Sequence, residues 1–187
     1  HESEEKWANA GHSHTVDPHV WLDPVLAQTE VSTIAEGLAE ADPDNAEDYL
    51  ENAGIYNGKL NELDEAYRAA FEGTENRTFV TQHAAFAYLA ARYDLNQISV
   101  TGLNAEVELS AAALATLSDY VKANNISHIY FENNASSQTA EALAEEVGVE
   151  LAVLSPLEGI TEEDQKKGSD YISVMLDNLE ALKKSIN

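Results

Sequence analysis

Apolar residues recur with helical spacing in the first third of the chain. A helix is predicted from Pro24 to about Ala41, because Asp23 is a favourable N-cap residue and proline is favoured in the first helical turn. A second helix is predicted from about Asp44 to Phe71. Its apolar positions alternate four and three residues apart, so they form one stripe on a rod roughly 40 Å long. These positions are Tyr49, Ala53, Tyr56, Leu60, Leu63, Tyr67 and Phe71.

From residue 74 onward, short β-type runs alternate with helical segments. Strands are predicted at about 78–82, 96–101, 127–131 and 149–154, and helices at about 84–93, 110–124, 137–147 and 169–185. Strand–helix alternation at this spacing predicts right-handed crossovers and a parallel sheet. The predicted fold is therefore α/β, a doubly wound four-stranded parallel sheet of order 2-1-3-4, preceded by a long connecting helix. Three regions are expected: 1–16, a flexible histidine-containing loop; 17–73, a metal-ligand segment and two helices; and 74–187, a carboxyl-terminal lobe.

The charge of the chain is strongly negative. It has 34 acidic residues against 10 basic residues, which gives a net charge of −24. Nucleic acid is excluded as a partner, because phosphate neutralisation requires clusters of Lys and Arg. There is no cysteine, so disulfides and thiolate metal sites are excluded as well.

His83 is the first candidate for a functional site. It follows the first predicted strand, and in open α/β sheets ligands bind at the carboxyl ends of the strands. In the order 2-1-3-4, Glu132 at the end of strand 3 lies across the same crevice. Glu132 is interpreted as a metal ligand, as a group that orients a ligand histidine, or as a helix cap. The alternative for His83 is a helix-terminal histidine bonded to the backbone.

Other histidines and one acid complete the candidates. His19 lies between Pro18 and Pro24 in a segment predicted to be stiff and extended, and its alternative is a turn residue packed on Trp21. Glu158 lies in the loop after strand 4 and is either a ligand or a solvated acid. His128, inside strand 3, is interpreted as structural. His12 and His14, in the polar tail, are candidates for loose metal binding.

Two histidines and a carboxylate suit Zn²⁺, and they also suit manganese or iron. The chain has no H-E-x-x-H, G-x-S-x-G, P-loop or G-x-G-x-x-G motif. The residues therefore favour a metal-binding protein over an enzyme.

Three motifs resemble those of a known family: Asp17–Pro24 (DPHVWLDP), Thr81–Phe86 (TQHAAF), and Ser155–Gly159 (SPLEG) followed by Asp170-Tyr171-Ile172. The family is the zinc branch of the metal-binding solute-binding proteins of bacterial ABC importers, which includes zinc-uptake and adhesin-type lipoproteins. The resemblance implies two lobes joined by a long rigid helix, with metal held in the cleft between them.

The resemblance also implies a ligand set and a function. His19 and His83 are the expected ligands, Glu158 stands where the family has its carboxylate ligand, and Glu132 becomes a supporting group or alternative ligand. The histidine of the TQH motif resembles the zinc branch, whereas the manganese branch has an acid there. The implied function is extracytoplasmic zinc capture, at the cell surface with a lipid anchor or in the periplasm, and delivery to an ABC permease, without catalysis.

One departure from the family pattern is large. Family members have an amino-terminal lobe that supplies another histidine ligand, so the resemblance implies that this chain is a carboxyl-terminal fragment. One coordination position is then open to water, a tail histidine or another molecule, and exposed helical stripes favour self-association. The alternatives are a manganese-binding solute-binding protein, a metal-stabilised surface adhesin and, less in keeping with the sequence, a zinc hydrolase.

Overall fold

The computed structural model of the chain describes residues 16–100, 111–124, 126–132, 144–160 and 162–187. The predicted histidine-containing tail, with His12 and His14, lies outside the described residues.

Two antiparallel helices precede the sheet. Helix α1 spans Pro24–Ala41, and helix α2 spans Ala46–Phe71 after a 3-10 turn at Pro43–Asn45. The Asp23 carboxylate caps α1, because it accepts hydrogen bonds from the backbone N–H groups of Val25 and Leu26. In α2 only the carboxyl-terminal half of the predicted stripe is fully buried, at Leu60, Leu63, Tyr67 and Phe71.

The four strands form one parallel sheet in the predicted order. Strands β1 (Thr78–Thr81), β2 (Asn96–Ser99), β3 (His128–Phe131) and β4 (Glu150–Val153) are arranged β2-β1-β3-β4. In the central pair, Val80 lies opposite Ile129 and Thr81 opposite Tyr130. The carboxyl ends of β1 and β3 are therefore adjacent, which brings His83 and Glu132 to the same crevice.

Helices follow the strands. They are α3 (Ala87–Arg92), α4 (Ala111–Ala123), α5 (Glu162–Lys167) and α6 (Tyr171–Leu182). Residues 144–147 are also helical, and the rest of the predicted helix 137–147 lies outside the described residues. Gly148 follows that segment with a φ of 80°, as a residue after a helix often does. Helix α5 was not predicted.

Both faces of the sheet carry a core, as the doubly wound prediction requires. Phe79 and Tyr130 pack with α2, α3 and α6 on one face. Val80 and Ile129 pack with α4 and Val147 on the other face. Alternation along each strand thus divides the side chains between two layers of helices.

Two local predictions are wrong. The segment between Pro18 and Pro24 is not extended throughout, because Val20–Leu22 form a 3-10 turn. Each proline restricts only the residue before it, so the residues between them are free to turn. The helix predicted to begin next to His83 begins at Ala87. The His83 carbonyl oxygen accepts hydrogen bonds from Thr81 Oγ1 at 2.7 Å and Gln97 Nε2 at 3.1 Å, so side chains occupy the acceptor that a helix would use.

No helix in the described ranges is long and apolar enough to cross a membrane.

Candidate metal centre

His19 is held by its own segment. Asp17 Oδ1 accepts hydrogen bonds from the His19 backbone N–H at 3.0 Å and from ring Nδ1 at 2.7 Å. The ring also makes an edge contact with Trp21, with centroids 5.3 Å apart. Only 2% of His19 is exposed. The predicted packing against Trp21 is therefore present, and it leaves Nε2 facing the crevice.

His83 is held by the sheet. It follows β1, and its Nδ1 lies against Oε1 of Glu132, which directly follows β3. Both side chains are buried. Among the interpretations of Glu132, its position favours orientation of the histidine, because an Nδ1–H donated to a carboxylate leaves the Nε2 lone pair available.

Glu158 lies in a loop that the carboxyl-terminal helix fixes. The Asn178 side-chain amide donates to the Ser155 carbonyl and accepts from the Ser155 N–H, both at 2.8 Å. Trp21 Nε1 donates to the Pro156 carbonyl at 2.8 Å. Leu157 has a φ of 55°, an uncommon left-handed conformation that turns the chain immediately before Glu158.

These three elements bring His19, His83 and Glu158 together. One ligand atom of each lies within 4.8 Å of those of the other two, and the group is the only one of its kind in the described part of the chain. Glu158 Oε1 lies 2.9 Å from His19 Nε2 and 4.0 Å from His83 Nε2. Tetrahedral zinc with bonds of about 2.0–2.1 Å separates its ligand atoms by about 3.3 Å, and the two distances lie on either side of that value.

The negative charge around His19 favours a cation at this group. His19 has a carboxylate at each ring nitrogen, Asp17 at Nδ1 and Glu158 at Nε2. If Nδ1 carries the proton that it donates to Asp17, the Nε2 lone pair faces a carboxylate oxygen. Two such electron-rich atoms come within 2.9 Å only when a proton or a metal ion lies between them. Zn²⁺, which accepts imidazole and carboxylate ligands, suits these donors.

The remaining histidine of the described chain does not join the centre. His128 is interpreted as structural. Its Nδ1 shares a hydrogen bond of 2.8 Å with Ser127 Oγ, and its Nε2 lies 3.4 Å from Glu150 Oε2. It is at the start of β3, at the opposite end of the sheet from the crevice.

Several supporting residues were not predicted from the sequence. Asp17 stands two residues before His19, so its spacing was an available signal. Asn178 gave no such signal. Tyr171 belongs to the Asp170-Tyr171-Ile172 motif, but its contact was not predicted because its partner lies far away in the chain. Tyr171 donates its hydroxyl to the Trp21 carbonyl at 2.6 Å, and burial raises the pKa of that hydroxyl, so it remains a donor.

Comparison with known proteins places the chain in a family. The family described as ZnuA, zinc-uptake complex component A, periplasmic, matches residues 1–185. The chain belongs to the ZnuA family.

The chain is similar in sequence to named members of the ZnuA family. The zinc-binding protein AdcA of Streptococcus pyogenes serotype M1 is 52% identical over 178 residues, which cover 95% of this chain and 35% of that protein. This chain thus spans about a third of the length of that relative.

Two solved structures share the fold. The Zn(II)-bound ZnuA-like domain of Streptococcus pneumoniae AdcA superposes with a TM-score of 0.81 at 50% identity, covering 90% of this chain and 63% of that chain. The laminin-binding protein Lmb of Streptococcus agalactiae, described as bifunctional with adhesin and metal transporting activity, gives a TM-score of 0.80 at 36% identity, covering 90% and 64%.

Proposed function

We propose that this chain captures Zn²⁺ outside the cytoplasm and passes it to an ABC permease in the membrane. The observation that supports this most is the convergence of His19, His83 and Glu158 on one point, with ligand atoms within 4.8 Å. The family description and the zinc-bound relative support the choice of zinc and of uptake.

In this proposal each side chain has a defined part. His19 and His83 bind the ion through Nε2, and Glu158 binds it through a carboxylate oxygen. Glu132 holds the His83 ring from Nδ1 and does not bind the ion. Because Glu158 is 42% exposed while both histidines are nearly fully buried, the ion reaches the centre from the Glu158 side.

The chain's regions fit the same proposal. Residues 17–73 supply His19 and the long helix, and residues 74–187 supply His83 and Glu158 from the lobe with the sheet. The binding cycle needs no bond making beyond metal coordination, so the chain acts without catalysis. Protons compete with zinc for the imidazole nitrogens, so acidic conditions weaken binding.

The test is a calorimetric titration of the metal-stripped chain with Zn²⁺ and, separately, with Mn²⁺. Zinc should bind one-to-one and more tightly than manganese, which prefers oxygen ligands. His83→Ala should weaken zinc binding by at least about 100-fold, because the loss of one of three ligands removes a coordinate bond. His128→Ala removes a histidine away from the centre and is the matched control.

Two results contradict the proposal. Zinc binding that survives His83→Ala places the ion elsewhere, and preference for Mn²⁺ favours the manganese branch.

Adhesion is a second candidate function, favoured by the likeness to the laminin-binding protein of S. agalactiae. It predicts that the zinc-loaded chain is retained on immobilised laminin and that a chelator releases it. Absence of retention with zinc present removes this candidate. Retention that is insensitive to the chelator separates adhesion from the metal.

A further inference from the structure

Asp17 makes the shortest hydrogen bond to the His19 ring. Its Oδ1 atom is 2.7 Å from His19 Nδ1 and 3.0 Å from the His19 backbone nitrogen. One carboxylate oxygen therefore fixes both the ring and the backbone of the same residue. The Asp17 side chain is 20% exposed, so it stays in contact with solvent while its oxygen is directed inward.

The position of Asp17 is itself fixed by contacts on either side. The Tyr88 hydroxyl of α3 donates to the Asp17 carbonyl oxygen at 3.3 Å, and the Val20 N–H donates to the Pro18 carbonyl at 2.8 Å. Pro18 lacks an N–H group, so the Asp17 carboxylate has no backbone donor there to compete with His19. These contacts keep the carboxylate in register with the ring.

We propose that Asp17 is a positioning residue that holds His19 as the Nδ1–H tautomer, so that Nε2 is the nitrogen presented to the metal. The arrangement parallels that of Glu132 and His83, where the other carboxylate occupies Nδ1. A neutral imidazole free in solution exchanges between two tautomers, and only one of them directs a lone pair at the centre. A carboxylate that selects this tautomer removes the free-energy cost of populating it before the metal binds.

The expected effect of Asp17 on zinc affinity rests on the proposed function. The tautomer of His19, in contrast, is measured in the absence of metal. Nitrogen-15 correlation spectra of the histidine rings, recorded on the metal-free chain in mildly alkaline buffer, report which ring nitrogen carries hydrogen. His19 in the unmodified chain should show hydrogen on Nδ1. In Asp17→Ala the ring should shift toward the tautomer with hydrogen on Nε2, because the Glu158 carboxylate remains 2.9 Å from that nitrogen. An unchanged Nδ1–H signature in Asp17→Ala overturns the inference, whatever the chain does with zinc.

The second test is zinc affinity. Asp17→Ala should lower it by about 10-fold, at the lower end of the range for carboxylates that support metal-bound histidines. Asp17→Asn, which keeps an acceptor oxygen but not the charge, should restore part of the loss. Asp177→Ala on α6 removes the same charge from an exposed position and should leave affinity unchanged.

The outcomes separate the two hypotheses. If the unmodified chain binds no zinc, the proposed function fails, while the tautomer measurement still decides the role of Asp17. If zinc binds and Asp17→Ala changes neither the tautomer nor the affinity, the positioning role fails alone. If Asp17→Ala lowers both the zinc affinity and the thermal stability of the metal-free chain while the tautomer stays unchanged, Asp17 has a structural role. That result overturns the inference.

Discussion

The two histidines of the centre are held in different ways. Apart from the other two members of the centre, the groups that contact the His19 ring lie within two residues of it in the sequence: Asp17 at Nδ1 and Trp21 at the ring edge. His83 depends on distant residues, because Glu132 comes from the end of β3 and Gln97 from β2. The His19 corner of the centre, meaning His19 and its supporting residues, is therefore set by a short segment. The His83 corner forms only when the sheet has formed.

This difference predicts different sensitivity to substitution. A local constraint survives loosening of the lobe, whereas a constraint between strands is lost with their pairing. It also predicts that Glu132 contributes more to zinc affinity than Asp17 does, since the Glu132 side chain is 6% exposed and the Asp17 side chain 20% exposed. Hydrogen bonds to charged groups contribute more where water competes less.

The largest effect expected of these substitutions is that of Glu132→Gln. Glutamine keeps the size of the side chain but loses the charge facing His83 Nδ1, and its amide can rotate to present a donor there. Zinc affinity should fall toward the 100-fold end of the range for such supporting groups. Competition titration against a zinc chelator measures this, with Asp17→Asn as the matched change at the other corner. A loss no greater than that of Asp17→Asn would remove the proposed inequality.

The contrast also explains what the sequence could and could not predict. The setting of His19 follows from Asp17-Pro18-His19 and Trp21, which are adjacent and readable. The meeting of His83 with Glu132 follows from the strand order 2-1-3-4, which strand–helix alternation predicted correctly. Fold and crevice were thus accessible because they depend on periodicity and topology.

Other parts were not readable because they depend on specific tertiary contacts. The Glu158 loop takes its shape from the Asn178 amide and from the left-handed backbone of Leu157, neither of which has a local sequence signal. The non-helical stretch after His83 arises because Thr81 and Gln97 bind its carbonyl oxygen. The helical pattern beyond His83 gave no sign of these competing donors.

A second substitution tests how local the His19 corner is. Asp23 ends the segment that carries His19, is 2% exposed, and is joined to Arg92 of α3 by contacts of 2.8–3.0 Å. Arg92→Ala leaves the buried Asp23 carboxylate without its charged partner, although the backbone N–H groups of Val25 and Leu26 still donate to it. The free energy of unfolding should fall by about 2 kcal/mol, less than for a fully buried pair because the Arg92 side chain is 29% exposed.

Denaturant unfolding measures this change, and Arg68→Ala is the control. Arg68 also pairs with a buried acid, Asp64, but its side chain is 53% exposed and water screens the pair, so its loss should cost less than that of Arg92. If Arg92→Ala costs no more than Arg68→Ala, the segment is stabilised without α3, and the His19 corner is more autonomous than its contacts indicate.

The smallest effect is expected of Trp21→Phe, which tests the link between the His19 segment and the Glu158 loop. Phenylalanine keeps an aromatic edge against His19 but removes the N–H that donates to the Pro156 carbonyl at 2.8 Å. One neutral hydrogen bond contributes about 1 kcal/mol, so zinc affinity should fall by at most about fivefold. Tyr171→Phe removes another hydrogen bond to this segment, at the Trp21 carbonyl, and should have a similar effect. Because Asn178 still holds Ser155 in both variants, Glu158 should stay within reach of the histidines.

A loss above about 10-fold in Trp21→Phe alone would mean that the indole N–H, rather than Asn178, sets the position of Glu158. The centre would then have two corners governed by the His19 segment, and His83 would be the one ligand placed by the sheet.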